Sequence, residues 1–300
     1  MTRTDLASAL AAGTVPLDGG LATELEAAGH DLSGALWSGR LLLESPEAVT
    51  AAHARFFAAG ARVATTASYQ LSADGLAAVG IERQAADNLL RRSVEVAALA
   101  RAAAAEPDRC WVAASVGPYG ATLADGSEYR GDYGLTVAEL RAWHRPRLAV
   151  LATAGADVLA IETIPCLAEV EALLSEVAGS GVPCWLSLTC GSPSTTRAGE
   201  PVTEAFAMAR DVTEVVAVGV NCLPPVDAGP LVATASRVAG KPVVVYPNSG
   251  EDWDAPSRSW RGTGSQLVSE VTGWVDDGAR LVGGCCRVTP AEIAALVGEL

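Results

Sequence analysis

Apolar residues along this chain gather in short β-branched runs separated by longer segments with helical spacing. The runs fall at 15–18, 62–67, 111–116, 158–162, 184–188, 215–220, 243–246 and 280–282. Helical spacing holds at 82–104, 137–154, 167–177, 230–239, 266–277 and 290–300. The runs are continuously apolar rather than alternating, the pattern of strands buried on both faces of a parallel sheet. Eight strands alternating with helices predict an α/β fold, a (β/α)8 TIM barrel that fills one domain over 1–300. An open doubly wound sheet would also alternate. It calls for Gly-x-Gly-x-x-Gly after the first strand, and this chain has Leu17-Asp18-Gly19-Gly20-Leu21 there.

Barrel active sites are built at the C-terminal ends of the strands. Three long polar or Gly/Ser/Pro-rich segments, 121–135, 191–201 and 248–264, follow strands three, five and seven and read as βα loops on that rim. Polar residues end nearly every strand: Asp18-Gly19-Gly20, Thr65 to Gln70, Gly117 to Gly120, Glu162-Thr163, Thr189-Cys190, Asn221-Cys222, Pro247 to Gly250, and Gly283-Gly284-Cys285-Cys286-Arg287. If the barrel closes, one site contains most of them.

Composition narrows the classes. Half the residues are apolar and 19% are charged, enough to bury a large core. A net charge of -14 argues against nucleic acid and against an anionic membrane surface. No apolar run reaches the roughly 18 residues of a membrane helix, and the N-terminus has no convincing leader. A cytoplasmic enzyme acting on small molecules is the expectation, monomer or homodimer. The alanine-rich stretch 97–105, interrupted by Arg101, reads as a surface helix.

Seven cysteines, an odd number, do not form an obvious disulfide framework. Cys285 and Cys286 follow two glycines that allow tight turning, and adjacent cysteines are poorly placed to bridge each other. Both can reach one tetrahedral ion. Strand six brings Cys222 to the same rim, so these three thiolates predict a Zn2+ site with one open position, the mark of a catalytic zinc. Cys110, Cys166 and Cys184 read as core residues, with Cys190 undecided at a strand end. His30, His53 and His144 fit no metal spacing; the latter two read as surface or helix-packing residues.

With Asp18-Gly19-Gly20, Gly219-Val220-Asn221-Cys222 and Gly283-Gly284-Cys285-Cys286-Arg287 in this order, the chain resembles the homocysteine S-methyltransferase family from Val15 to Leu300. The resemblance implies a zinc-bearing barrel that methylates homocysteine to methionine. It implies that Asp18 and Glu162 accept the substrate ammonium group. Thr66 and the backbone around Gly19 and Gly20 become candidates for its carboxylate. Asn221 either shapes the loop carrying Cys222 or touches the ligand. Trp37, Tyr69 and Tyr119 could face a cationic methyl donor. Gln70, where the betaine-using branch carries a tyrosine, and the end at Leu300 favour S-methylmethionine over betaine, with S-adenosylmethionine as a weaker donor. Two other readings stay open: a zinc-thiolate enzyme using another acceptor such as selenocysteine, and a non-catalytic zinc or redox-sensing barrel.

Overall fold

Within each buried strand, alternate residues pack into two separate apolar clusters. One cluster contains Leu6, Leu10, Val15, Leu17, Val63, Trp111, Ala113, Val158, Ala160, Trp185, Ala217, Val244, Tyr246 and Leu281. The intervening residues, such as Val112, Ala114, Leu159, Ile161, Leu186 and Val218, join a larger cluster with the helices. Period two thus divides the strands between an inside and an outside, as a closed barrel requires.

The computed structural model describes residues 3–32, 38–254, 259–262, 264 and 267–300. Its eight parallel strands are β1 (Val15–Pro16), β2 (Val63–Thr65), β3 (Trp111–Val116), β4 (Val158–Ile164), β5 (Cys184–Leu188), β6 (Val215–Asn221), β7 (Val243–Tyr246) and β8 (Ala279–Val282). They pair in sequence order from β2 to β8, and β8 pairs with β1. A bridge between Leu17 and Val63, with the Arg62 N–H donating to the Pro16 carbonyl at 2.8 Å, joins β1 to β2. The fold is the expected (β/α)8 barrel.

Helices α1 (Leu6–Ala12), α2 (Leu21–Ala27), α3 (Ser38–Glu44), α4 (Pro46–Ala58), α5 (Ala73–Ala78), α6 (Arg83–Ala102), α7 (Val137–Leu151), α8 (Leu167–Val177), α9 (Val202–Arg210), α10 (Pro225–Ala239), α11 (Leu267–Asp276) and α12 (Pro290–Val297) accompany them. Helix α1 sends Leu6 and Leu10 into the inner cluster, and the Trp111 indole N–H donates to the Thr4 carbonyl at 2.9 Å. Both contacts plug the N-terminal end of the barrel, leaving the other end for chemistry.

Several boundaries differ from the sequence reading. Helix α10 begins at Pro225, because a proline in the first turn forfeits no intrahelical bond, and it continues through Pro230 at the loss of one. The segment 97–105 is not a plain surface helix: Ala97 and Ala100 lie fully buried along the inner stripe of α6, where small side chains admit close packing. Loop 191–201 holds an antiparallel pair, Cys190–Ser192 with Thr195–Thr196, and loop 248–264 holds another, Asp252–Asp254 with Ser259–Arg261. Helices α1, α2, α3, α5 and α9 are short and lie outside the helical segments named from the sequence, and α4 shows there only as a helical pattern around His53. His53 is buried on α4 with neither ring nitrogen hydrogen-bonded, and burial pushes its pKa down to about 4. His144 is buried on α7 at 2.8 Å from the Glu169 carboxylate. Both histidines serve helix packing. No helix among the described residues is long and apolar enough to cross a membrane.

Candidate active site

The inward parity of five strands, β3 to β7, ends in a polar residue at the C-terminal rim. Trp111 and Ala113 lead to Ser115, Val158 and Ala160 to Glu162, Trp185 to Ser187, Ala217 to Asn221, and Val244 to Tyr246. These residues form one hydrogen-bonded layer above the apolar barrel interior. The Glu162 carboxylate accepts from the Ser115 hydroxyl and, at 3.0 Å, from the Tyr246 hydroxyl, which itself accepts the Trp185 indole N–H at 3.0 Å.

Asp18 reaches the same layer from β1. Its carboxylate accepts the Thr65 N–H at 2.7 Å and the Thr65 hydroxyl at 3.0 Å. Burial pushes its pKa up to about 8, and the nearby Glu162 charge adds to the rise. Burial likewise pushes Glu162 up to about 7, against the pull of its two hydroxyl donors. Neither carboxyl has a cationic side chain among its contacts with the described residues, so each retains acceptor capacity for an incoming cation.

Two glycine motifs bring the cysteines to this layer. A Cβ on Gly283 would sit 2.6 Å from the Asp18 carbonyl oxygen, and one on Gly20 would sit 2.7 Å from that of Cys285. Side chains there would wedge the two turns apart. The Gly284 N–H donates to the Asp18 carbonyl at 3.0 Å, the Cys285 N–H to that of Pro247 at 2.7 Å, and the Cys286 N–H to the Asn248 side chain at 3.2 Å. On β6, Cys222 adopts a left-handed backbone, φ 51°. Its carbonyl accepts the Thr189 hydroxyl at 3.2 Å.

The three thiol sulfurs of Cys222, Cys285 and Cys286 lie within 4.8 Å of one another. Cys285 and Cys286 sulfurs are 4.0 Å apart. Sulfurs on a tetrahedral zinc with bonds of about 2.3 Å are about 3.8 Å apart, so this spacing suits a shared ion. The Cys222 and Cys285 sulfurs are in direct contact, with Cα atoms 5.7 Å apart. That separation also falls within disulfide reach, a pairing the odd cysteine count did not suggest. Burial pushes the Cys286 thiol up to about 11, with Glu162, Glu128 and Glu26 adding to the rise. Without a cation this sulfur keeps its proton at neutral pH. A soft divalent ion suits both the donor set and the local excess of negative charge.

Asn221 is fully buried and its amide is engaged within the protein. Its oxygen accepts the Thr163 N–H at 2.8 Å and the Ser187 hydroxyl at 2.7 Å, and its nitrogen donates to the Thr163 hydroxyl at 2.7 Å. Thr163, φ 61°, directly follows Glu162. A β-branched residue there costs roughly 1–2 kcal/mol, so Asn221 holds in one place the turn behind Glu162 and the turn bearing Cys222. Thr66 is similarly engaged: it accepts the Ser115 N–H at 3.0 Å and hydrogen-bonds the Ser68 hydroxyl at 2.8 Å. The Gly20 N–H goes to the Val288 carbonyl, whereas the Gly19 N–H meets no acceptor among the described residues. Tyr69 stands half-buried by this layer, while the Tyr119 ring packs against Tyr133 and Trp143. Trp37 lies outside the described residues. Cys110, Cys166, Cys184 and Cys190 are buried apart from the sulfur cluster.

Sequence reasoning placed Thr65 and Thr163 on the rim without giving them a role, and passed over Ser115, Ser187 and Tyr246. A signal existed for the serines. A lone hydroxyl at an inward position of Trp111-Val112-Ala113-Ala114-Ser115-Val116, or of Cys184-Trp185-Leu186-Ser187-Leu188, has no place in a dry interior unless it bonds something.

Comparison with known proteins settles the family. The homocysteine S-methyltransferase family model matches residues 15–300. The chain belongs to the homocysteine S-methyltransferase family. A homocysteine S-methyltransferase of Escherichia coli (strain K12) is 44% identical over 288 residues, 93% of each chain. A selenocysteine Se-methyltransferase of Brassica oleracea var. italica is 43% identical, over 93% of this chain and 87% of that one. The crystal structure of the homocysteine methyltransferase MmuM from Escherichia coli in its metallated form superposes with a TM-score of 0.87 at 41% identity, covering 96% of each chain. As a member of the family the chain is a methyltransferase, and its cysteine cluster is a candidate set of metal ligands.

Proposed function

We propose that the protein transfers a methyl group from S-methylmethionine to the thiol of homocysteine, with Zn2+ held by Cys222, Cys285 and Cys286. One observation carries this reading: three sulfurs within 4.8 Å of one another share a rim with two buried carboxyls that have no cationic partner among the described residues. Zinc bound there would supply a lowered thiol pKa and a fixed position for the acceptor sulfur. The balance is simple. The thiol releases its proton, a carbon–sulfur bond forms to the methyl group, and the donor's methyl–sulfonium bond breaks. Homocysteine and S-methylmethionine give two methionines and one proton.

The chain's own residues hold the acceptor. Asp18 and Glu162 take its ammonium group, and their raised proton affinity falls once that cation compensates them. The Gly19 N–H, which meets no acceptor among the described residues, is the candidate donor to its carboxylate, with the Gly20 turn beside it; Thr66 acts by fixing the β2–β3 junction. Asn221 acts by positioning the Glu162 and Cys222 turns. Trp37 is proposed to face the donor cation. Orientation of two bound reactants supplies much of the rate.

A donor and acceptor panel tests the proposal. Zinc-loaded protein with homocysteine is expected to turn over S-methylmethionine at least tenfold faster than S-adenosylmethionine, and betaine not at all. Selenocysteine competes as an acceptor in the same assay, a test prompted by the Brassica relative. No methionine from any sulfonium donor would sink the reading.

A further inference from the structure

The reaction brings two positive charges into a water-poor site, the ammonium of the acceptor and the sulfonium of the donor. Asp18 and Glu162 account for the first. A third buried carboxyl stands beside the same cluster and comes from a different part of the fold. Glu128 lies in the loop after β3, on the 3-10 turn Ser127–Tyr129, and is 5% exposed. Its Oε2 has no hydrogen-bond partner, and no ion pair to it is found among the described residues. Burying a carboxylate is unfavourable unless something compensates its charge, and burial holds the Glu128 carboxyl above the usual carboxylate range.

The surroundings of Glu128 point into the active site. The backbone of Ser127 and Glu128 packs where a Cβ on Gly120 would fall, at 2.6 and 2.5 Å, so Gly120 lets this turn settle onto the β3 rim. The adjacent Tyr129 ring carries the Arg197 guanidinium over it at 5.4 Å. Arg197 donates to the Thr189 hydroxyl at 3.3 Å, and that hydroxyl donates to the Cys222 carbonyl. A continuous line of contacts therefore joins the Glu128–Tyr129 turn to the Cys222 loop. Glu128 also lies close enough to the Tyr69 and Tyr129 hydroxyls for its charge to raise the proton affinity of both.

We propose that Glu128, with the ring of Tyr69, forms the subsite for the sulfonium centre of the methyl donor. The inference rests on the homocysteine-methylating function proposed above. The chemistry favours the sulfonium over a more distant charge. The transferred methyl group lies between the attacking sulfur and the sulfonium, so that cation must sit next to the sulfur cluster. A carboxylate and aromatic faces are the groups that stabilise such a cation. Because the positive charge disappears as the methyl leaves, Glu128 stabilises the bound donor more than the transition state. It therefore sets donor affinity and specificity without accelerating the transfer itself.

Titration calorimetry of zinc-loaded wild type and Glu128→Gln with S-methylmethionine, and with methionine as its uncharged counterpart, tests the assignment. The variant is expected to lose affinity for S-methylmethionine by about ten- to a hundredfold and for methionine by less than about twofold. In turnover, KM for the donor rises by the same factor, kcat stays level or rises, and KM for homocysteine is unmoved. Equal losses for both ligands, no loss for either, or a fall in kcat at constant donor KM would each overturn it. Should the glutamine variant not fold, Glu128→Asp, which keeps the charge but withdraws it, is expected to show the same contrast at smaller size. Calorimetry reads binding without turnover, so a wild type that binds the sulfonium yet makes no methionine would sink the proposed function while leaving the subsite tested on its own terms.

Discussion

Cys286→Ala is expected to lower methyl transfer on the order of a thousandfold or more, corresponding to the several kcal/mol that a bound metal contributes at the reacting atom. Three sulfurs define the site, and two leave an ion held too weakly and an acceptor thiol that keeps its proton. The barrel itself should survive. Cys286 is only partly buried, outside both apolar clusters, and its backbone contacts to Asn248 and Ser249 do not involve the side chain. Metal content by mass spectrometry should fall well below one zinc per chain while the melting temperature of the metal-free protein stays within a few degrees. Cys190→Ala is the matched control. Cys190 is buried near the same rim but outside the sulfur cluster, so its loss should leave zinc content unchanged. Full activity in Cys286→Ala would remove the metal assignment.

The second large effect belongs to the carboxyl pair. Asp18→Asn and Glu162→Gln are each expected to raise KM for homocysteine about ten- to a hundredfold, the scale of a hydrogen bond to a charged group. Glu162→Gln should be the more damaging. One of the two hydroxyls now donating to the carboxylate, Ser115 or Tyr246, would face an amide NH2. The pair also leaves a pH signature. In the empty folded protein Asp18 holds its proton up to about pH 8 and Glu162 up to about 7. The unfolded chain releases both near the ordinary carboxylate range. Between those limits the folded form binds more protons, so stability is full at low pH and lost as pH rises through 7 and 8. His53 works in the opposite sense, but in a lower window, between its unfolded value of 6.5 and about 4. Thermal melts from pH 6.5 to 8 therefore isolate the carboxyls. The metal-free wild type should lose stability across this range, and Asp18→Asn should lose less. A flat wild-type profile would contradict the buried, cation-seeking pair.

The barrel was legible because eight apolar runs of strand length alternate with helices, and parallel strands buried on both faces leave that unbroken signature. The cluster of Cys222, Cys285 and Cys286 was legible from Gly-Gly-Cys-Cys and Asn-Cys at strand ends, where glycines free the backbone to turn tightly and set the sulfurs beside one another. The supporting layer was not. Ser115, Ser187 and Tyr246 acquire meaning only when strand parity is known, and parity depends on registers such as Ser115 beside Ala160 and Tyr246 beside Asn221. Asn221 shows the same limit. Its place beside Cys222 was plain, but its bonds to Thr163 and Ser187 cross from β6 to β4 and β5, which no spacing along the chain reveals. Glu128 lies in the 121–135 loop, which the sequence places on the rim without singling out this carboxyl; its burial depends on packing such as that of its backbone against Gly120.

The central claim is that Cys222, Cys285 and Cys286 hold one zinc with a position open for the acceptor sulfur. Zinc-edge X-ray absorption of the loaded protein, recorded before and after adding homocysteine, tests it most directly. Three sulfur neighbours at about 2.3 Å, rising to four with homocysteine, is the predicted result. A shell dominated by nitrogen and oxygen, or a sulfur count that homocysteine leaves unchanged, would contradict it.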